Sequence, residues 1–240
     1  MNDIRDDSIN WESTARQLLA AREDLIDIAA AMSHDLRSPL HAISGFSRLL
    51  QLRYHDQLDS EANEYLDFIS QNVKRMDDLI AGMLSYARLS ADEPPQMTDV
   101  SQLVQIAWDA VAVAREESEA VLELGPMPTI PVRPDQLILV FKSLFENAIQ
   151  FHRETPPHIT VKAHQASDYW HFAVSDNGTG IDPVAIEKIF TLLARGHIAD
   201  PPTTGMGLAL CRKIIRDHGG AITASSKPGI GSTLQFTLPC

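Results

Sequence analysis

Along residues 11–50 the apolar positions recur at alternating steps of four and three: Trp11, Ala15, Leu18, Leu25, Ala29, Met32, Leu36, Pro39, Ile43, Phe46 and Leu50. This is a heptad seam on a long helix, with Arg22 as its one misfit. A polar stretch over 53–60 closes it, and a second seam follows in Ala62, Leu66, Ile69, Val73, Met76, Ile80, Met83 and Ala87. Two seamed helices of similar length with a short connection predict a helical hairpin. One hairpin buries a single stripe per helix, so pairing of two hairpins into a dimeric four-helix bundle is the favoured arrangement. A monomeric hairpin packed on the rest of the chain is the alternative.

The pattern changes at Ala91-Asp92-Glu93-Pro94-Pro95-Gln96, which reads as a linker. Beyond it, helical periodicity over 100–117, 134–152 and 207–218 is interleaved with strand-like alternation over 158–164, 169–175, 221–225 and 233–238. Such interleaving fits a two-layer α/β sandwich, a sheet covered on one face by helices. The expected organisation is α+β: a hairpin domain over 1–90, a linker over 91–97 and a second domain over 98–240.

Composition narrows the classes of function. A chain of 240 residues, 44% apolar and 22% charged, is an ordinary globular protein with room for one or two cores. A net charge of −12 argues against a nucleic-acid or anionic-membrane surface. No apolar run approaches the roughly 20 residues of a membrane helix, and no basic-then-apolar leader is visible, so the expected location is cytoplasmic. Cys211 and Cys240 lack metal-type spacing, and no structural disulfide is expected.

Candidate chemistry begins in Ser33-His34-Asp35-Leu36-Arg37-Ser38-Pro39-Leu40. With Met32 and Leu36 on the seam, His34 takes the outward position between them, and Ser38 lies one turn farther on. An exposed neutral imidazole can meet a phosphoryl group. Asp35 can hold one ring nitrogen and leave the other free as a nucleophile. Pro39 removes a backbone hydrogen bond to Asp35 and predicts a kink beside the histidine. Taken alone, a helical histidine is more often solvated surface. Farther on, Asn147 sits in an apolar helical run, where a bare amide is costly to bury without a partner. Asp176-Asn177-Gly178-Thr179-Gly180 follows a strand pattern, and its glycines permit tight turns and close ligand approach. By itself it could be a β-turn, but it lacks the spacing of a calcium loop. Gly205 and Gly207 open an amphipathic helix whose backbone N–H groups can face a triphosphate. Leu210 stands where a dinucleotide fingerprint has its third glycine, and no Walker element occurs.

These four elements, in this order, resemble the sensor histidine kinases of two-component signalling, whose helical hairpin precedes a Bergerat-type ATP-binding fold. The resemblance implies a homodimer that uses ATP and Mg²⁺ to phosphorylate its own His34. The phosphoryl group then passes to an aspartate in the receiver domain of a response regulator. It implies that Asp35 assists transfer, and that Ser38 stands where the family has a water-positioning Thr or Asn. Asn147 becomes a Mg²⁺ ligand and Asp176 the acceptor for the adenine amino group. Gly178, Gly180, Gly205, Gly207, Leu208 and Thr233 line the nucleotide, Arg195 contacts phosphate, and 196–204 forms a lid. Ile189 and Phe190 match the phenylalanine-containing element before that lid, and Gly229-Ile230-Gly231-Ser232-Thr233 the closing glycine motif.

Three positions depart from the family pattern: Ser143 for Asn, Gln150 for Lys or Arg, and Leu193 for Phe. Phosphate charge then falls on Mg²⁺, Arg195 and His152 or Arg153. An ATPase of the same superfold would place a general-base Glu four residues before Asn147. Ser143 cannot deprotonate water, and Glu146 lies about 100° around the helix from Asn147. A degenerate kinase acting as a dimeric adaptor or inhibitor is disfavoured by the intact Asn147, Asp176 and glycines. About thirty residues precede the histidine region, too few for a sensor domain. A sensor is therefore expected in a longer chain or a separate protein.

Overall fold

The computed structural model describes residues 4–89, 94–192 and 205–240, with side chains of the first helix described only in part before residue 26. The chain divides into two compact units, Met1–Arg88 and Leu89–Cys240. In the first, helix α1 (Ile4–Tyr54) continues through Pro39 to a 3₁₀ turn (His55–Gln57), and helix α2 (Ser60–Arg88) returns. Asn63 braces the turn by donating its amide to the carbonyls of His55 (3.2 Å) and Asp59 (3.0 Å). The Asp59 carboxylate accepts from the Ala62 N–H at 2.8 Å, occupying a donor that helix geometry leaves unpaired.

The expected hairpin is present, but the stripe that closes it on α1 is not the apolar seam. Among the described residues, the side chains buried on α1 are Ser33, Leu40 and Ser47, spaced at sevens and each one residue beyond Met32, Pro39 and Phe46. Met32, Leu36, Ile43, Phe46 and Leu50 are exposed in the single chain. On α2 the heptad is divided. Leu66, Val73 and Ile80 are buried, and the last two join Leu40 in one cluster, while Ile69, Met76 and Met83 stay exposed. Small residues let α1 lie close to α2, and the Ser33 hydroxyl is satisfied within its own helix by the Ala29 carbonyl at 2.6 Å. Polar ties across the hairpin complete it: Arg37 to Asp77 (3.0 Å) and Gln51 to Asp67 (2.6 Å). The side chains of Trp11, Ala15, Leu18, Arg22 and Leu25 lie outside the described residues.

In the second unit, strand β1 (Gln96–Asp99) leads into helices α3 (Val100–Asp109) and α4 (Ala112–Glu117), where one longer helix was expected. Strands β2 (Val121–Leu124) and β3 (Thr129–Val132) precede helix α5 (Pro134–Gln150). Then come β4 (His158–Ala166), β5 (Tyr169–Asp176), helix α6 (Gly207–Asp217), β6 (Ile222–Lys227) and β7 (Gly231–Pro239). The five-stranded sheet has the order β2-β4-β5-β7-β6, parallel only between β2 and β4, and β1 pairs with β3 in a separate ribbon.

One face of the sheet is apolar at every second position: Ile159 and Val161 on β4, Phe172 and Val174 on β5, Leu234, Phe236 and Leu238 on β7. Against it lie Leu137, Phe141, Leu144 and Phe145 of α5 and Ile214 and Ile215 of α6, while α3 packs on α5 with Val100 and Val104 buried. Phe172 and Phe236 stack with centroids 4.8 Å apart, and Phe141 meets Phe236 edge-on at 5.8 Å. The alternate residues of the sheet are mostly polar and partly or fully exposed, so among the described residues helices cover one face only, as the sandwich reading expected.

His218, just past α6, ties this helix to the start of α5. Its Nε2 accepts from the Arg133 N–H at 3.1 Å, and its Nδ1–H donates to the Ile214 carbonyl at 2.8 Å, so the neutral ring uses both nitrogens. Burial pushes the imidazole below the ordinary histidine value of 6.5, and the nearby Arg133 charge adds to this. The Ile214 bond and Asp217 act in the opposite direction without reversing it. A depressed folded-state value means that stability is full above 6.5 and is lost as pH falls through the folded value. We therefore expect the Tm of the second unit to drop between pH 7 and pH 5. His218→Gln should flatten that slope, as read by calorimetry across the range.

Candidate functional site

Helix α5 organises the second site. Three backbone elements meet along it. At its end, the Phe151 carbonyl accepts the Thr179 N–H at 2.9 Å, anchoring the loop that follows β5. That loop is joined to the β6–β7 turn, where Gly229 N–H donates to the Thr179 carbonyl at 2.8 Å. One turn before Asn147, Ser143 packs beneath the start of α6: a Cβ on Gly207 would lie 3.5 Å from the Ser143 hydroxyl. Ser143 also hydrogen-bonds the thiol of Cys211, which burial nonetheless pushes up to about 12.

Asp176 ends β5 with its carboxylate turned into this junction. One oxygen, Oδ1, accepts the N–H groups of Gly178 (2.8 Å) and Ser232 (3.2 Å). The other carries no hydrogen bond among the described residues. Burial raises the carboxyl above its ordinary value, and the two N–H donors only partly oppose the shift. Gly178 permits the close approach, since a Cβ there would fall 2.6 Å from the Phe151 carbonyl oxygen. At Gly180 a φ of +74° and a carbonyl 2.4 Å from any added Cβ leave room for glycine alone. Asn177 is structural: its side chain accepts from the His158 N–H at 2.8 Å and donates to the Pro156 carbonyl at 3.1 Å.

Asn147 is half-buried on α5, and its side-chain amide has no hydrogen-bond partner among the described residues. Glu146 is paired with Lys142 at 2.8 Å. Gly205, with φ of +67°, and Gly207 lead into α6, and Leu208 follows in its first turn. Thr233 lies across the sheet from Ser175, hydroxyl to hydroxyl at 2.9 Å. Two residues considered for phosphate charge are engaged elsewhere. His152 Nδ1 donates to the Ile149 carbonyl at 2.6 Å, and Arg153 donates to the carbonyls of Asn177 (3.2 Å) and Gly229 (2.7 Å). Both spend their donors on helix-end and loop carbonyls that no strand or helix partner satisfies. Arg195, Leu193 and the 196–204 segment lie outside the described residues. Phe190 is buried just before them.

Sequence reasoning did not single out two contributors. The Ser232 N–H binds Asp176, and the Ser226 hydroxyl accepts from Ile181 N–H (2.8 Å) while contacting Gly231 O and Ser232 (both 2.9 Å). The first lies inside the closing glycine motif and was accessible there; nothing in the pattern marks Ser226.

On the hairpin, His34 and Asp35 are 87% and 84% exposed, and His34 Nδ1 lies 3.2 Å from Asp35 Oδ1. Ser38 is exposed one turn on. Among the described residues, no helix is long and apolar enough to cross a membrane.

Comparison with known proteins divides the chain in the same two parts. Residues 24–92 match the His Kinase A (phospho-acceptor) domain, and residues 132–240 match the histidine kinase-, DNA gyrase B- and HSP90-like ATPase family. Phytochrome-like protein Cph1 of Synechocystis sp. is 40% identical over 227 residues, covering 94% of this chain and 30% of that protein. Adaptive-response sensory kinase SasA of Synechococcus sp. is 32% identical over 224 residues, 88% of this chain and 58% of the relative. The chain thus spans about 30% of the length of the cyanobacterial phytochromes that it matches. Among solved structures, full-length ShkA in complex with AMPPNP shares the fold with a TM-score of 0.64 at 23% identity, over 89% of this chain and 45% of ShkA. The catalytic domain of histidine kinase ThkA gives 0.53 at 20% identity, over 61% of this chain and 95% of that domain. With a phosphoacceptor hairpin and a GHKL-type ATPase domain in one chain, the protein belongs to the sensor histidine kinases of two-component signalling.

Proposed function

We propose that this chain is the cytoplasmic catalytic core of an ATP-dependent protein-histidine kinase. It phosphorylates His34 and transfers the phosphoryl group to an aspartate in a response-regulator receiver domain. The observation that carries the reading is the His34–Asp35 contact. A carboxylate on Nδ1–H holds the tautomer in which Nε2 keeps its lone pair, on a side chain open to an incoming group. In-line attack by Nε2 on the γ-phosphorus forms the N–P bond as the bond to the β-phosphate oxygen breaks, and ADP leaves. Asp35 offsets the positive charge that develops on the ring, and positioning supplies much of the remaining acceleration. Ser38 offers a hydroxyl beside the acceptor.

In the second unit we assign Asp176 to adenine: the bond-free oxygen accepts the exocyclic amino group while Oδ1 is held by two backbone amides. Gly178, Gly180 and Thr233 shape that pocket, Gly205, Gly207 and Leu208 present helix-start N–H groups to the phosphates, and Arg195 is assigned a phosphate contact. Asn147 fits Mg²⁺, because its amide oxygen is a hard ligand with no competing partner, and Mg²⁺ takes few protein ligands when phosphates complete its shell. Such an ion would neutralise charge on the β- and γ-phosphates. Phosphotransfer is favoured over hydrolysis because Ser143 is committed to the α5–α6 contact and Glu146 to Lys142. The exposed stripe of Met32, Leu36, Ile43 and Phe46, with Ile69, Met76 and Met83, is assigned to a homodimeric four-helix bundle.

Three results are expected. With labelled ATP, the parent should acquire acid-labile phosphate, and His34→Gln should abolish it while ATP binding persists; labelling that survived would move the acceptor elsewhere. The exposed and buried apolar positions of the hairpin should respond differently to charge. Ile43→Glu, on the exposed stripe, should give a monomer by light scattering with helix content intact. Ile80→Glu sits in the buried cluster, where losing a large apolar side chain costs roughly 2–5 kcal/mol, and should unfold the hairpin. A monomeric parent at micromolar concentration would remove the bundle.

Asp176→Asn should separate binding from stability. Its Oδ1 can keep both backbone bonds, but a donor NH₂ replaces the oxygen that faces adenine, so ATP-analogue binding should weaken with or without Mg²⁺ in calorimetry. Asn147→Asp should disturb chiefly the Mg²⁺-dependent part. Because the folded carboxyl value of Asp176 is raised, its contribution is full below the ordinary 3.8 and is lost as pH rises through the folded value. At pH 7 the Asn variant should therefore melt no lower than the parent, and any advantage should vanish in acid. A parent-like affinity would end the adenine assignment.

A further inference from the structure

We infer that His164 and His171 form a two-imidazole site for a first-row divalent transition metal on the helix-free face of the sheet. The β4–β5 register sets the two residues directly opposite each other, and their rings stack with centroids 5.1 Å apart at an interplanar angle of 15°. Neither ring makes a hydrogen bond among the described residues, so no ring nitrogen is committed to the protein. A metal–imidazole bond is about 2.0–2.1 Å, so two nitrogens on one ion lie roughly 3–4 Å apart, within reach of two rings already this close. Antiparallel pairing fixes the separation of their backbones, so binding orders only side-chain torsions. Imidazole nitrogens suit copper, nickel and zinc rather than magnesium or calcium. No group of three or more His, Cys, Asp or Glu ligands occurs among the described residues, so water completes the coordination shell. Lys162 precedes His164 on the same face, and Thr237 flanks His171 from β7. The chain's net charge of −12 favours approach of a dication despite that lysine. His171 is five residues before Asp176 on β5, about 17 Å along an extended strand, which separates this pair from the nucleotide site.

Titrating the whole chain with nickel chloride in a calorimeter tests the assignment. One ion per chain should bind to the parent and to His41→Asn, which alters an exposed histidine on α1. His164→Asn and His171→Asn should each abolish that binding. Circular dichroism should report an unchanged fold, and if His171→Asn unfolds, the variant at the exposed His164 decides. Absence of nickel uptake by the parent, or undiminished uptake by His164→Asn, overturns the site.

Discussion

Burial of one side of α5 against the sheet governs the second unit. Phe141 and Phe145 sit in an aromatic layer with Phe172, Phe236 and Trp108, and each of these rings is locked by its neighbours rather than by a polar bond. Once that side is fixed, the helix has no freedom to rotate, and the flank carrying Ser143 and Asn147 is aimed by default. The helix's last carbonyls then meet the Asp176 loop, and the β6–β7 turn closes over it. Precision at the carboxylate thus comes from core packing two layers away, transmitted through backbone hydrogen bonds. This explains why glycine is needed where the loop touches carbonyls: the approach distance leaves no room for a side chain.

The hairpin follows a different economy. Its internal contact is thin, with Leu40, Val73 and Ile80 as its apolar cluster and serines filling the gaps. The larger apolar side chains face away from the helix partner. A hairpin in water with such a distribution is a half-built core, and the division of the α2 heptad into alternate inward and outward positions suits a helix with neighbours on two sides.

Periodicity made the long elements legible. Both hairpin helices, α5, α6 and the four longer strands follow directly from spacings of 3.5, 3.6 or 2. The three short strands β1, β2 and β3 did not emerge, because each has four residues and depends on pairing with distant segments, and Pro131 further masks β3. The heptad identified apolar stripes without telling which one a helix's own partner would cover. Ser33 and Ser47 are buried by geometry that hydropathy does not encode. At the proposed nucleotide site the glycines and Asp176 were visible because close backbone approach demands a residue type. The contributions of Ser232 and Phe151 were less so, since any residue but proline donates an amide and every residue offers a carbonyl.

The two cysteines differ in a way that bears on experiment. Thiol alkylation needs a thiolate that solvent can reach. Cys211 is fully buried and its ionisation is displaced to about 12, whereas Cys240 is exposed at the end of β7. A maleimide dye or spin label at neutral pH is thereby directed to one position without mutagenesis. That position directly follows the strand that, at its other end, supplies the Ser232 amide to Asp176, so a reporter there senses the sheet while leaving the carboxylate untouched.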